Sequence, residues 1–174
     1  MISGGFSPDS FQLQAFMLSG SQFTSVAVGG FNHVFLTGIN NKGDVSGTAG
    51  NVFGASTQGF VIPNGKAATL YSYPGAASTA GGPINNLGQS VGQAFIAPQT
   101  LLTFIRNSDG TFSTVDLSPN CATSNTLSAI NDWGEVVGSC LVANSFVYFY
   151  GAPGALTMFD EVPGSQGGTT SVMG

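Results

Sequence analysis

The stretch AINDWGEVVG, from Ala129 to Gly138, has two earlier counterparts in this chain. They are GINNKGDVSG at residues 38–47 and PINNLGQSVG at residues 83–92. All three begin with a small residue and Ile-Asn, keep Gly at the sixth position, follow it with Asp, Gln or Glu, and end in Gly. The isoleucines of the motif are 45 and 46 residues apart. A motif that returns at a nearly fixed period predicts a tandem-repeat architecture.

The Asn-x-x-Gly core of the motif is typical of a tight hairpin turn. An Asn side chain can accept a hydrogen bond from the backbone two residues on, and Gly adopts a positive φ without strain. A metal or catalytic loop at Asp132 and Glu135 is the alternative, but Asn41 and Asn86 replace Asp132 in the other copies. The predicted structural turn residues are Asn40, Gly43, Asn85, Gly88, Asn131 and Gly134.

Short apolar runs rich in Val, Phe, Tyr and Thr separate these motifs and indicate strands. One set comprises residues 14–20, 58–65, 101–110 and 145–151, and a second set comprises residues 23–28, 68–73, 111–117 and 155–162. No window has the apolar spacing of a helix. Together with the two strands that flank each motif, these runs give four antiparallel strands per unit of about 45 residues, which is the size of a propeller blade.

The sequence therefore predicts an all-β chain, a four-bladed β-propeller-like repeat protein. Residues 1–174 form a single repeat domain with approximate units 2–38, 39–83, 84–129 and 130–174. Residues 2–4 match the strand after each turn, and residues 171–174 match the strand before it. We expect these terminal strands to pair and close the ring within the chain, with pairing between chains as the alternative. Pairing within the chain closes a ring, whereas pairing between chains gives a larger ring or a head-to-tail filament.

The repeats resemble the HAF repeat of predicted bacterial extracellular proteins. The resemblance rests on the three Ile-Asn motifs and on Gln14-Ala15-Phe16, Gln58-Gly59-Phe60 and Gln93-Ala94-Phe95. It covers essentially the whole chain and implies secretion and a propeller-like architecture, without catalytic residues. The third unit departs from the pattern, because Phe104 fits the strand position better than Phe95.

Composition excludes several classes of partner. Charged residues make up 6% of the chain, with three basic and eight acidic residues and a net charge of −5. Nucleic-acid binding needs clustered cations, which are absent, and the same lack argues against anionic membranes. No apolar run approaches the length of a membrane span, so we expect no membrane insertion. The N-terminus lacks the features of a signal peptide, but the composition, rich in Gly, Ser, Thr and Asn, favours an extracellular location.

The chain offers little catalytic chemistry. His33 is the single histidine, and no nucleophile motif accompanies it. One His and two Cys do not form a zinc site of familiar spacing, so we expect neither metal nor cofactor. The acidic residues are scattered over different units, and nothing selects a catalytic pair among Asp9, Asp44, Asp109, Asp116, Asp132, Glu135, Asp160 and Glu161. The sequence predicts that the chain is not an enzyme.

Two other features have predicted roles. Cys121 and Cys140 are the only cysteines, and an even number in an exported chain favours a disulfide. A simple hairpin would place Cys140 opposite Asn125, so the bridge requires the SPNCATSN loop to fold back. Two free buried thiols are the alternative. Trp133 occupies a turn position held by other residue types in the other units, which makes it a candidate contact for a glycan or protein. Packing on its own blade is the alternative.

These observations predict a non-catalytic extracellular module that acts as a structural or self-assembling scaffold. The alternative is a lectin-like or adhesin-like propeller that binds a carbohydrate or a protein. The expected partners are accordingly further copies of the chain, in a ring or filament, or an extracellular glycan or protein. A lectin with one site per blade should repeat the same polar and aromatic residues in every unit, which we do not find.

Overall fold

The computed structural model is all-β in the residues that it describes, which are 2–9, 12–51, 56–97, 100–117, 121, 123–142 and 145–159. Fifteen strands and no helix lie within these residues, as the sequence predicts. The strands form four antiparallel meanders in which consecutive strands are neighbours. A single parallel bridge between Leu13 and His33 joins the first two meanders, so hydrogen bonding defines three sheets.

The bounds of the strands follow the repeat. Meander 1 contains β1 (Ile2–Asp9), β2 (Gln12–Ser19) and β3 (Gln22–Val26). Meander 2 contains β4 (His33–Ile39), β5 (Val45–Gly50), β6 (Gln58–Ile62) and β7 (Thr69–Tyr71). Meander 3 contains β8 (Ser78–Ile84), β9 (Ser90–Ile96), β10 (Thr100–Arg106) and β11 (Phe112–Val115). Meander 4 contains β12 (Thr123–Ile130), β13 (Val136–Val142), β14 (Ser145–Ala152) and β15 (Ala155–Phe159).

Each Ile-Asn motif joins the first two strands of a meander, so meanders 2 to 4 begin before the isoleucine at which the predicted units start. Asp109 and Gly110 lie in the turn between β10 and β11, where Gly110 has a φ of 91°. The predicted strand ends beyond Phe159, together with Asp160 and Glu161, lie outside the described residues.

A phenylalanine packs over a glycine at the centre of every meander. The cross-strand pairs are Gly4–Phe16, Gly47–Phe60, Gly92–Phe104 and Gly138–Phe149. A Cβ atom on Gly47 would lie 2.7 Å from Phe60 Cζ and closer still to the carbonyl oxygen of Phe35. The last glycine of the motif is therefore required to make room for the ring. Phe104 is fully buried and Phe95 is exposed, so Phe104 takes the central position in meander 3.

Consecutive meanders pack face to face and bury one apolar core between each pair. The core between meanders 1 and 2 includes Ala15, Val26, Val34, Ala49 and Phe60. The core between meanders 2 and 3 includes Val61, Tyr71, Ile84, Ala94 and Phe104. The core between meanders 3 and 4 includes Val91, Ile105, Val115, Leu127, Val136 and Phe149. We call the face that carries the central Phe the Phe face. In meanders 2 to 4 it packs on the opposite face of the preceding meander.

Small residues allow this close stacking. A Cβ on Gly38, the residue before the Ile of the first motif, would lie 2.8 Å from backbone atoms of Pro83 and Ile84 in the next meander. Gly81 of meander 3 approaches the backbone of Gly47 in meander 2 in the same way. The described strands do not close into a ring, so the four-bladed propeller stays a prediction. Residues 169–174, expected to pair with β1, lie outside the described residues.

Candidate functional site: the ladder of asparagine turns

The three Ile-Asn motifs form three identical turns, at residues 40–44, 85–89 and 131–135. Gly43, Gly88 and Gly134 have φ values of 82°, 80° and 79°, as the sequence predicts. In each turn the glycine N–H donates to the carbonyl oxygen of the Asn at 3.1–3.2 Å. The backbone N–H of the Asn donates to the carbonyl oxygen four residues on. The motif thus encodes one rigid local structure three times.

The Asn side chain organises each turn from inside. Asn85 Oδ1 accepts hydrogen bonds from the backbone N–H groups of Leu87 (3.0 Å) and Gln89 (2.9 Å). Asn85 Nδ2 donates to Gln89 Oε1 at 2.9 Å. Asn40 and Asn131 make the same bonds, with Asp44 and Glu135 as the side-chain acceptors. This explains why the seventh position of the motif is Asp, Gln or Glu, since each supplies an acceptor oxygen.

Hydrogen bonds also join each turn to the next. Asn40 Nδ2 donates to the carbonyl oxygen of Asn85, and Asn85 Nδ2 donates to that of Asn131, both at 2.9 Å. The residues after these asparagines form a parallel row: Asn41 N donates to Asn86 Oδ1, and Asn86 N donates to Asp132 Oδ1. We call the three linked turns the asparagine ladder. The sequence predicted the turns but missed the contacts between them. The available signal was the Asn or Asp at the fourth position of every motif, whose side-chain oxygen accepts the bond from the preceding turn.

Hydrogen bonds hold two acidic side chains of the ladder, Asp44 and Asp132, as carboxylates. The Asn86 side chain and backbone donate to Asp132 and lower the pKa of its carboxyl group. Partial burial raises the pKa of Asp44, but hydrogen bonds from Asn40 and from the Asn64 backbone outweigh it, so the net pKa is lowered. These acids therefore act as hydrogen-bond acceptors in the folded chain. Within the described part of the chain, His, Cys, Asp and Glu side chains form no group of three or more that could hold a metal ion.

The third position of every turn points outward. Lys42, Leu87 and Trp133 occupy this position and are all exposed, and Trp133 reaches 86% exposure. Trp133 therefore does not pack on its own blade, the alternative considered above. It is the most exposed large hydrophobic side chain among the described residues.

The other predicted residues lie away from the ladder. Cys121 and Cys140 form the predicted disulfide, with Cα atoms 5.6 Å apart, in the core between meanders 3 and 4. His33 begins β4 and is partly buried. Asp109 accepts hydrogen bonds from the side chain and backbone of Thr111 within its own turn, which lower its pKa.

Comparison of the chain with family models, curated proteins and solved structures gave no match. No helix long and apolar enough to cross a membrane occurs in the described part of the chain.

Proposed function

We propose that this chain is a non-catalytic extracellular repeat module that acts as a structural or self-assembling scaffold. The observation that carries the proposal is the asparagine ladder. The repeated polar side chains, which are the obvious candidates for chemistry, bond to one another and to backbone groups of the neighbouring turn. We infer that these residues are repeated because they hold neighbouring units together.

Three further features support the proposal. The low share of charged residues leaves little electrostatic repulsion to oppose self-association. A disulfide is typical of proteins from oxidising compartments, in agreement with an extracellular location. Face-to-face meanders of four short strands are the construction of propeller blades, and the resemblance to the HAF repeat fits the same architecture.

The finer architecture in this proposal is four propeller-like blades, and the ring is completed either within one chain or between copies of it. In meander 1, β1 pairs with the strand that carries the central Phe. β5, β9 and β13 have this position in the other meanders. The other meanders have one more strand on the far side of that place. The terminal residues 169–174, which the sequence predicts to pair at this edge within the chain or between chains, lie outside the described residues.

A second candidate function is binding of a carbohydrate or a protein at Trp133. The observation in its favour is the exposure of this indole, beside the turn that carries the exposed Leu87. Aromatic side chains that are exposed and rigidly held are common contact residues at binding surfaces.

One experiment separates the two candidates. Purified protein and a Trp133→Ala variant are applied to a glycan array and assayed with chromogenic glycoside and ester substrates, while electron microscopy records the assembly state. The scaffold proposal expects no turnover, no binding above background, and particles of regular form. Glycan binding by the wild type that is lost in the variant would establish the binding function instead.

A further inference from the structure

The two outermost meander faces match the faces that are buried between meanders. The central Phe60, Phe104 and Phe149 are fully buried by the preceding meander, whereas Phe16 of meander 1 is only partly buried. Its ring contacts those of Phe6 and Phe23, at centroid distances of 6.4 and 5.3 Å. The Phe face of meander 1 therefore carries an aromatic cluster that no preceding meander covers among the described residues.

Phe23 shows what such a face normally contacts. The strand register makes Phe23 equivalent to Phe112 of meander 3. Phe112 packs edge-on against Tyr73, which follows the last strand of meander 2, with ring centroids 5.3 Å apart. Phe23 is 66% exposed. A partner for meander 1 should therefore offer side chains from the last strand of another meander.

Meander 4 has the complementary open face. The strand register makes Tyr150 equivalent to Val61 and Ile105. Those two residues are buried against the following meander, whereas Tyr150 is 54% exposed. Phe159 takes the position of Tyr71 and Val115 on the last strand and stacks on Tyr148 at 5.7 Å. A groove of about 370 Å³ opens on this face beside Tyr150, between Ala129 and Val137.

The cross-strand neighbours of these aromatics are uncharged, and Glu135 is the one charged residue among the described residues that line the groove on meander 4. On meander 1 the neighbours are Gln14, Leu18 and Ser25, and on meander 4 they are Val137, Ser139 and Thr157. The asparagine ladder also stops at meander 4. Asn40 and Asn85 each donate to the next turn, whereas Asn131 donates only within its own turn among the described residues.

We propose that the Phe face of meander 1 binds the open face of meander 4 in a second copy of this chain. This contact repeats between chains the interface that each chain makes three times internally, and it is head-to-tail because the two faces differ. The inference rests on the proposed scaffold function and names its partner. A second copy is the proposed occupant because Phe23 is 66% and Tyr150 54% exposed, so the described strands of one chain do not bring these two faces together.

The size of the faces predicts a contact of limited strength. A face of three to four strands, each about seven residues long, covers roughly 400 Å² at ordinary strand rise and spacing. Two such faces bury roughly 800 Å², below the roughly 1,200–2,000 Å² of most stable interfaces. Assembly should therefore depend on concentration.

Sedimentation velocity of the full chain, from about 5 µM to about 500 µM, tests the proposal with two variants that place a charge on one face each. Phe23→Lys alters the face of meander 1, and Tyr150→Lys alters the face of meander 4. The wild type should form larger species as concentration rises, and each variant should associate at least about tenfold more weakly. Leu87→Lys, at a comparably exposed apolar residue on a turn, is the matched control and should associate like the wild type.

Mixing the two variants gives the decisive result. Each retains the face that the other lacks, so an equimolar mixture should form dimers that do not grow further. A wild type that is monomeric at every concentration would overturn the proposal. It is also overturned if either variant alone still associates like the wild type, since that indicates contact between identical faces. Circular dichroism verifies folding, and Phe23→Ser and Tyr150→Thr replace a lysine variant that does not fold.

The outcomes separate this inference from the proposed function. A monomer without glycan binding refutes the contact between copies and leaves a scaffold that closes within one chain. Glycan binding lost in Trp133→Ala refutes the scaffold function, whatever the sedimentation result.

Discussion

Meanders 3 and 4 have the same four strands in the same order, but among the described residues meander 3 is covered on both faces and meander 4 on one. The difference is visible at equivalent positions: Ile105 is buried in meander 3, and Tyr150 is exposed in meander 4. An aliphatic side chain suits a closed core, whereas tyrosine tolerates water at its hydroxyl. At this position the covered meander carries an aliphatic residue and the open meander carries tyrosine.

The comparison extends to meander 1, which is covered on the face opposite to Phe16. The repeats are thus equal in local structure and unequal in burial. Substitutions at equivalent positions should therefore have unequal effects, large inside the stack and small at its ends.

The largest difference is expected between Phe104→Ala and Phe16→Ala. Phe104 is fully buried, so its removal leaves a cavity and should lower the free energy of unfolding by about 3–5 kcal/mol. Phe16 is partly exposed, so Phe16→Ala should lower the free energy of unfolding by only about 1 kcal/mol. Chemical denaturation at low protein concentration measures both. Equal losses would show that the Phe face of meander 1 is covered within the chain.

Removing the disulfide should destabilise meander 4 more than the other meanders. The disulfide joins Cys121, two residues before β12, to Cys140 in β13, across 19 residues of sequence. The Cys121→Ala, Cys140→Ala double variant should lose about 3 kcal/mol of stability, because the unfolded chain regains loop entropy. Hydrogen exchange should show faster opening in β12 to β15 than in meander 2. Uniformly faster exchange would contradict a local role.

Replacing the glycine beneath the central Phe ring with Ala should destabilise a meander inside the stack more than meander 1 at its end. At Gly47 the added methyl group meets a backbone carbonyl and the buried Phe60 ring, and the variant should lose about 3 kcal/mol. At Gly4 the nearest atoms belong only to the half-exposed Phe16 ring, which can move, so Gly4→Ala should lose about 1 kcal/mol. Thermal unfolding of both variants provides the measurement, and a reversed order would refute the explanation.

The ladder predicts a smaller contrast. Asn85→Ala removes bonds within the turn and the donor to Asn131, whereas Asn131→Ala removes only bonds within its turn among the described residues. Asn85→Ala should therefore be more destabilising by about 1 kcal/mol, the net value of one hydrogen bond. Denaturation midpoints of the two variants provide the test. Identical midpoints would mean that the bond between turns adds nothing.

The smallest predicted effect is on the stability of the fold at low pH. Hydrogen bonds from Asn86 depress the pKa of Asp132 in the folded chain, so the carboxylate stabilises the fold above the pKa of the unfolded chain. This stabilisation disappears as the pH falls through the folded pKa. The melting temperature of Asp132→Asn should therefore fall less than that of the wild type between about pH 6 and about pH 2.5. Asp109→Asn, where the hydrogen bonds stay within one turn, should alter acid sensitivity without altering the coupling between meanders.

The sequence alone determined the local structure of this protein. Periodicity, Gly and Asn placement and runs of β-branched and aromatic residues located the strands and the three turns, because these depend on residues only a few positions apart. The cysteine pair was also predictable from count and context. Phe104 could be assigned to the centre of meander 3 because it fits the strand period and Phe95 does not.

Only the tertiary structure decided how the repeats contact one another. The bonds from Asn40 to Asn85 and from Asn86 to Asp132 depend on the distance and rotation between neighbouring meanders, which no local pattern specifies. The roles of Gly38 and Gly81 emerged in the same way, as points of close backbone approach. The exposure of Phe23 and Tyr150 follows from their place at the ends of the stack, since Phe112, Val61 and Ile105 at the equivalent positions pack against a neighbouring meander.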